Sequence, residues 1–209
     1  MVKTPRVHDL VCLHPDAIPQ VVYQARTENN AWLENSGDKA SWAVVRRAHP
    51  TTSGHVAVGF RGSSRNQRWG TEIPAEYITA VTAPYEISSK VLPDGAAFQA
   101  FNAFDEMPYK FGPGGSVGFE LASGIQSTHP DSDLDLVIYA DSPLSVQDIR
   151  TIRHFHQRAA VFATVDILIE TPLGGVAFSE LERAMSYSPM PSMMLRTHQG
   201  PELSNIIWR

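Results

Sequence analysis

Cysteine is almost absent from this chain: among 209 residues only Cys12 carries a thiol, which excludes an internal disulfide and every zinc site built on several cysteines. No apolar run approaches the ~18 residues of a membrane span. The N-terminus, Met1-Val2-Lys3-Thr4-Pro5-Arg6, runs into His8-Asp9 without an apolar segment, so no secretory signal is expected. A surplus of positive charge is lacking too. Lys and Arg number 17 against 22 Asp and Glu, and a net charge of −5 argues against a general nucleic-acid binder. What is present, 43% hydrophobic and 19% charged residues, is the make-up of a globular protein with a real core. The expectation is a protein of the reducing cytoplasm, with neither membrane nor nucleic acid as partner.

The most informative stretch runs from Gly112 to Tyr139. It contains Gly112-Pro113-Gly114-Gly115-Ser116 and, further on, Ser132-Asp133-Leu134-Asp135-Leu136-Val137-Ile138-Tyr139. Side chains alternate along a strand, so Asp133 and Asp135 project to one face while Leu134, Leu136 and Ile138 project to the other. Two carboxylates side by side repel unless a cation lies between them, and hard oxygen ligands suit Mg²⁺, which keeps several waters and binds substrate phosphates. A glycine turn with a helix opening behind it offers backbone N–H groups to an anion.

Elsewhere the pattern predicts a helix over Ile18 to Arg26 with Pro19 in its first turn, and strands over Trp42 to Arg47 and His55 to Arg61 joined as a hairpin. Arg61, Arg65 and Arg68, interleaved with glycine and small polar residues, make a loop able to grip phosphate or carboxylate; the alternative is a solvated surface loop. Ser88 to Gly95 marks the best boundary, dividing a β-rich domain over 1–90 from a second domain over 91–209. Helices are expected over Ala96 to Phe104, Val117 to Ser123, Val146 to Arg158 (capped by Ser145, with Asp148 in its first turn) and Ser179 to Met185. Strands are expected over Val161 to Glu170, containing Asp166, over Met193 to Thr197, and over Ile206 to Trp208. His154 and His156 stand two apart on a helix, which does not suit a shared metal and reads as a solvated face.

Other motifs compete for the same residues. Asp131-x-Asp133-x-Asp135 opens like a calcium loop, but its sixth and twelfth positions hold Leu136 and Ser142 rather than Gly and Glu. The glycine turn lacks the Lys-Ser/Thr of a P-loop. Gly114-Gly115-Ser116-Val117-Gly118 does match the G-x-S-x-G of a serine hydrolase, with Asp166 and His198 following in triad order. That elbow must stand on a strand, whereas Pro108 and Pro113 interrupt the residues before it, and the reading leaves the paired aspartates unexplained.

A Gly-Ser turn, a helix, Asp-x-Asp on a strand and a later carboxylate resemble the nucleotidyltransferase superfamily. The resemblance maps onto Gly115, Ser116, Asp133, Asp135 and Asp166, with the three carboxylates as Mg²⁺ ligands. Taken with His8-Asp9-Leu10, Val58-Gly59-Phe60-Arg61-Gly62 and Leu195-Arg196-Thr197, the chain is similar to the malonate decarboxylase holo-acyl-carrier-protein synthases, also called phosphoribosyl-dephospho-CoA transferases. The resemblance implies an α+β fold: a small N-terminal β-rich domain binding substrate or carrier, then a nucleotidyltransferase-like mixed sheet with flanking helices as the catalytic domain. It implies transfer of a prosthetic group from 2′-(5″-triphosphoribosyl)-3′-dephospho-CoA to a serine of the acyl carrier subunit, with release of pyrophosphate. Asp133 and Asp135 would be catalytic, and Gly115, Ser116, Arg61, Arg65 and Arg68 would bind phosphate. Another nucleotidyltransferase, acting on a small molecule or RNA, is the nearest alternative. A catalytically inactive binding module is a further one, against which the intact Asp133 and Asp135 speak.

Overall fold

In the computed structural model, which describes residues 2–62, 64, 66–88 and 90–208, the chain is α+β and forms two compact units. Residues 1–83 with 122–125 make the first, and 84–121 with 126–209 the second.

Five antiparallel strands form the sheet of the first unit: Leu10–Leu13 (β1), Trp42–Val45 (β2), His55–Arg61 (β3), Arg68–Pro74 (β4) and Ile78–Thr82 (β5), in the order β4-β3-β2-β1-β5. Alternation makes one face apolar: Val58 and Phe60 on β3 and Trp69 and Ile73 on β4 share a core with Val21 and Ala25 of the helix Ile18–Thr27 (α1). The expected β2–β3 hairpin is present, with Val44 opposite Gly59. Strands β4 and β5, hidden in a sequence of mixed polarity, were not expected.

The second unit holds Lys110–Pro113 (β6), Leu134–Tyr139 (β7), Val165–Thr171 (β8), Gly174–Ala177 (β9), Met193–Thr197 (β10) and Gly200–Ser204 (β11), ordered β11-β10-β9-β8-β7-β6. All neighbours are antiparallel except β7 and β8, which the helix Val146–Ala159 (α4) connects as a parallel crossover. Leu134, Leu136 and Ile138 are buried in one core with Phe98 and Phe101 of Ala96–Asn102 (α2), Ile149 and Ile152 of α4, and Phe178 and Leu181 of Phe178–Ala184 (α5). Each such buried side chain contributes about 1.5–3 kcal/mol. Helices thus cover one sheet face. Asp133, Asp135 and Asp166 stand on the other.

Three expectations need correction. Pro113 does not prevent a strand: β6 pairs with β7 from Lys110↔Tyr139 to Pro113↔Leu136, with the proline at the strand's last residue. Residues 206–208 are not a strand; Ile207 is buried, the Trp208 Nε1–H donates to Ala140 O at 2.8 Å, and the edge strand is β11. His156 is not a solvated residue, since its Nε2 lies 3.1 Å from Val165 O and its ring meets Phe178 edge-on.

Ser145 caps α4 through a capping box. Its Oγ accepts from Asp148 N at 3.2 Å, the Asp148 carboxylate accepts from Ser145 N at 2.7 Å, and the Tyr109 hydroxyl donates to Asp148 at 2.7 Å. The Tyr109 hydrogen bond, then those from Ser145, hold the Asp148 carboxyl below its ordinary value, while burial, with Asp148 second, pushes Tyr109 up to about 12. Asp148→Ala is expected to lower stability by about 1–2 kcal/mol, as for a lost cap. Because the folded-state pKa is depressed, this contribution is complete above the ordinary aspartate value and is lost as pH falls through the folded one. Denaturant melts of both proteins at neutral pH and at pH near 3 check it; a gap that persists undiminished in acid counts against the assignment.

Candidate active site

Register builds the site. In the parallel ladder Asp135 of β7 lies directly opposite Asp166 of β8, on strands about 4.8 Å apart, so both side chains leave the same face of the sheet together. Asp133 precedes β7 by one residue, after a turn in which Ser132 N donates to His129 O and Ser132 Oγ accepts from His129 N. Asp133 and Asp135 are half-buried, whereas Asp166 is exposed. His129 is exposed and serves this turn through its backbone.

The glycine turn is built against the same carboxylate. Gly114 N donates to Asp135 O at 2.8 Å, and Gly118 N to Gly114 O at 2.8 Å starts the helix Gly115–Ser123 (α3). Gly115 has φ +53°, and a Cβ there would overlap Oδ2 of Asp135. Only glycine serves both needs. The first-turn N–H groups of α3 have no acceptor within the helix, which favours an anion there.

Ser116 is buried in the first turn of α3. Its backbone is not left-handed, and among the described residues its hydroxyl makes no hydrogen bond to a histidine. A nucleophile elbow requires a strained turn residue with a base in reach. Although β6 supplies the strand that the elbow needs, neither of the other conditions is met.

The long connection from α3 to Asp133 is ordered by a residue that the sequence did not single out. The Glu120 carboxylate accepts from Ser127 N at 2.9 Å, Thr128 N at 2.8 Å and Thr128 Oγ at 2.7 Å. A helix glutamate tying a loop seven and eight residues away has no signature in spacing.

Arg61 and Arg68 lie in the first unit, directly opposite each other at the end of the β3–β4 hairpin. Arg65 falls outside the described residues. Arg46, not anticipated, adds to them: Gly59 and Gly70 are cross-strand partners, and the Arg46 side chain lies over both. The outer face of this sheet therefore carries Arg46, Arg61 and Arg68 around a floor of bare backbone.

Among the described residues no set of three or more His, Cys, Asp or Glu is drawn together as a metal cage, and no helix is long and apolar enough to cross a membrane. A cage is not what Mg²⁺ chemistry requires, because this ion is held by one or two carboxylates with waters and substrate phosphates. Asp135 together with Asp133 or Asp166 offers the one or two carboxylates of that donor set, without the three forming a cage.

An α+β sheet whose face opposite the core carries aspartates beside a glycine turn is a scaffold suited to an enzyme, and this one is a transferase. The chain belongs to the phosphoribosyl-dephospho-CoA transferase family: residues 6–84 match the family model "Phosphoribosyl-dephospho-CoA transferase MdcG N-terminal domain" and residues 87–206 its C-terminal counterpart. Its relatives include the phosphoribosyl-dephospho-CoA transferase of Pseudomonas aeruginosa, 31% identical over 98% of this chain and 94% of the relative. Those of Pseudomonas fluorescens (33%, covering 86% and 85%) and Klebsiella pneumoniae (31%, covering 100% and 98%) are similar. No solved structure matches the chain.

Proposed function

We propose that the protein transfers the phosphoribosyl-dephospho-CoA group of 2′-(5″-triphosphoribosyl)-3′-dephospho-CoA to a serine of the acyl carrier subunit of malonate decarboxylase, in the cytoplasm. The serine Oγ attacks the α-phosphorus, an O–P bond forms as the bond to pyrophosphate breaks, and the serine proton passes to a carboxylate. The observation that carries this reading is Asp135, held against the Gly115 turn on one side and opposite Asp166 on the other.

Asp133, Asp135 and Asp166 would hold Mg²⁺, which when bound neutralises charge on the alkoxide and the leaving pyrophosphate. The N–H groups at Gly115 and Ser116 orient the phosphates at the helix start. Asp133 or Asp135 takes the serine proton. In-line displacement needs positioning and electrostatics more than covalent chemistry, which suits a face of carboxylates and backbone amides. The direct test is incubation of the protein with the triphosphoribosyl substrate, Mg²⁺ and apo carrier subunit. A gain in carrier mass equal to the prosthetic group, with stoichiometric pyrophosphate, is expected; pyrophosphate without carrier labelling overturns the acceptor, and neither product overturns the reaction.

The arginines of the first unit are proposed to bind anionic parts of the same substrate. Lysine keeps the charge and loses the two-pronged hydrogen bond, so Arg61→Lys and Arg65→Lys should each weaken substrate binding about tenfold with little change in melting temperature. Calorimetry with the CoA-derived substrate decides. Unchanged affinity in both variants returns the loop to a solvated surface.

A further inference from the structure

Between α2 and the C-terminal end of α4 in the second unit, the surface opens into a groove of about 800 Å³. Leu92, Phe98, Val161 and Phe162 line it together with the cations Lys90 and Arg158. Phe98 is its buried floor and Leu92 is partly exposed, whereas two of its apolar residues stand in water: Val161 is 78% and Phe162 46% exposed. Single exposed apolar residues need no explanation, but a group of them rimmed by charge marks an interaction surface.

That charge is of one sign. Among the described residues no carboxylate lines the groove, although the chain carries a net −5, and neither Lys90 nor Arg158 has an ion-pair partner. The Arg158 guanidinium lies 5.2 Å from the ring of Phe155, which holds it near the rim. The α4–β8 turn that presents Val161 and Phe162 is fixed by Phe162 N donating to Ala159 O at 3.0 Å. It is tied to the aspartate strand by Leu134 N donating to Thr164 O at 2.9 Å. Phe162 is four residues from Asp166, a chain span of at most about 14 Å.

We infer that this groove docks the protein substrate: an acidic segment presenting apolar side chains, on the carrier subunit whose serine is the acceptor. The inference rests on the transfer reaction proposed above. A polyanion would have no use for Val161 and Phe162, and the nucleotide substrate is already assigned to the aspartates by the reaction proposed above. Two cations with an apolar rim suit an acidic amphipathic surface, and complementary charge there accelerates encounter and fixes orientation. The small-molecule donor and the protein acceptor then occupy separate surfaces of the second unit.

The experiment is steady-state transfer with apo carrier subunit of malonate decarboxylase as the varied substrate. The double variant Lys90→Glu/Arg158→Glu, and separately Phe162→Ala, should raise KM for the carrier at least about tenfold, with kcat and the KM for the nucleotide substrate within about twofold. Added salt should raise the carrier KM of the wild type more than that of the double variant. Melting temperatures confirm that the variants fold; Lys90→Glu alone avoids the contact with Phe155 should the double variant not. If the wild type transfers and every variant keeps its carrier KM, the groove proposal is overturned while the reaction stands. If the wild type transfers to no carrier, the reaction reading fails and fluorescence anisotropy of the labelled carrier decides the groove. Binding at least about tenfold weaker in the double variant supports it, and equal or absent binding overturns it.

Discussion

Asp133→Ala and Asp135→Ala should each lose transfer by at least on the order of 10²–10³, the range lost with one preorganised electrostatic stabiliser, while the fold stays intact. Both side chains are half-buried on the face away from Leu134, Leu136 and Ile138, so their removal takes away no part of the core that those residues form. The melting temperature should stay close to that of the wild type, because neither carboxylate belongs to the apolar core. EDTA should abolish wild-type transfer, and Mg²⁺ should restore it. Asp166→Ala tests the third proposed ligand, which is exposed but lies opposite Asp135 in the ladder. Full activity in either the Asp133 or the Asp135 variant, with an unchanged circular dichroism spectrum, would sink the metal hypothesis.

Gly115→Ala is the second change for which a large loss is expected. The residue has φ +53°, where a Cβ costs roughly 1–2 kcal/mol, and that Cβ would overlap Oδ2 of Asp135. Asp135 can escape only by rotating its carboxylate away, and a displacement of about 1 Å at a reacting centre can cost 10²-fold in rate. Transfer should therefore fall about 10²-fold. Gly114→Ala is the internal control, because a Cβ there would sit 3.7 Å from Asp135 Cβ, an ordinary contact, and its backbone is not left-handed. Near-wild-type activity is expected of it. Equal activity in the two variants would show that contact between Gly115 and Asp135 has no part in the reaction.

The two predictions draw on different kinds of information. That Asp133 and Asp135 share a face is legible in the chain, since alternation along a strand is local and the buried Leu134, Leu136 and Ile138 leave the aspartates only one side. Local signals likewise specify α1 with Pro19 in its first turn, the β2–β3 hairpin, and α4 with its Ser145–Asp148 box. The same signals failed where local preference and tertiary pairing disagree. Pro113 spoke against a strand, yet it sits at the end of an edge strand, where a missing N–H is tolerated. Ile206 to Trp208 looked like a strand, yet Trp208 spends its N–H on Ala140.

By itself, then, the sequence determined the α+β class, the family through motifs in both halves, and the pairing of two aspartates on one face. Only the tertiary structure decided the other contacts around the candidate site: Asp166 opposite Asp135, Gly115 under its carboxylate, Glu120 holding the loop before Asp133, and Arg46 lying across Gly59 and Gly70. Each of these joins residues on different elements, and their meeting depends on strand register and close approach of backbones. Spacing along a chain carries the period of one element, not the alignment of two.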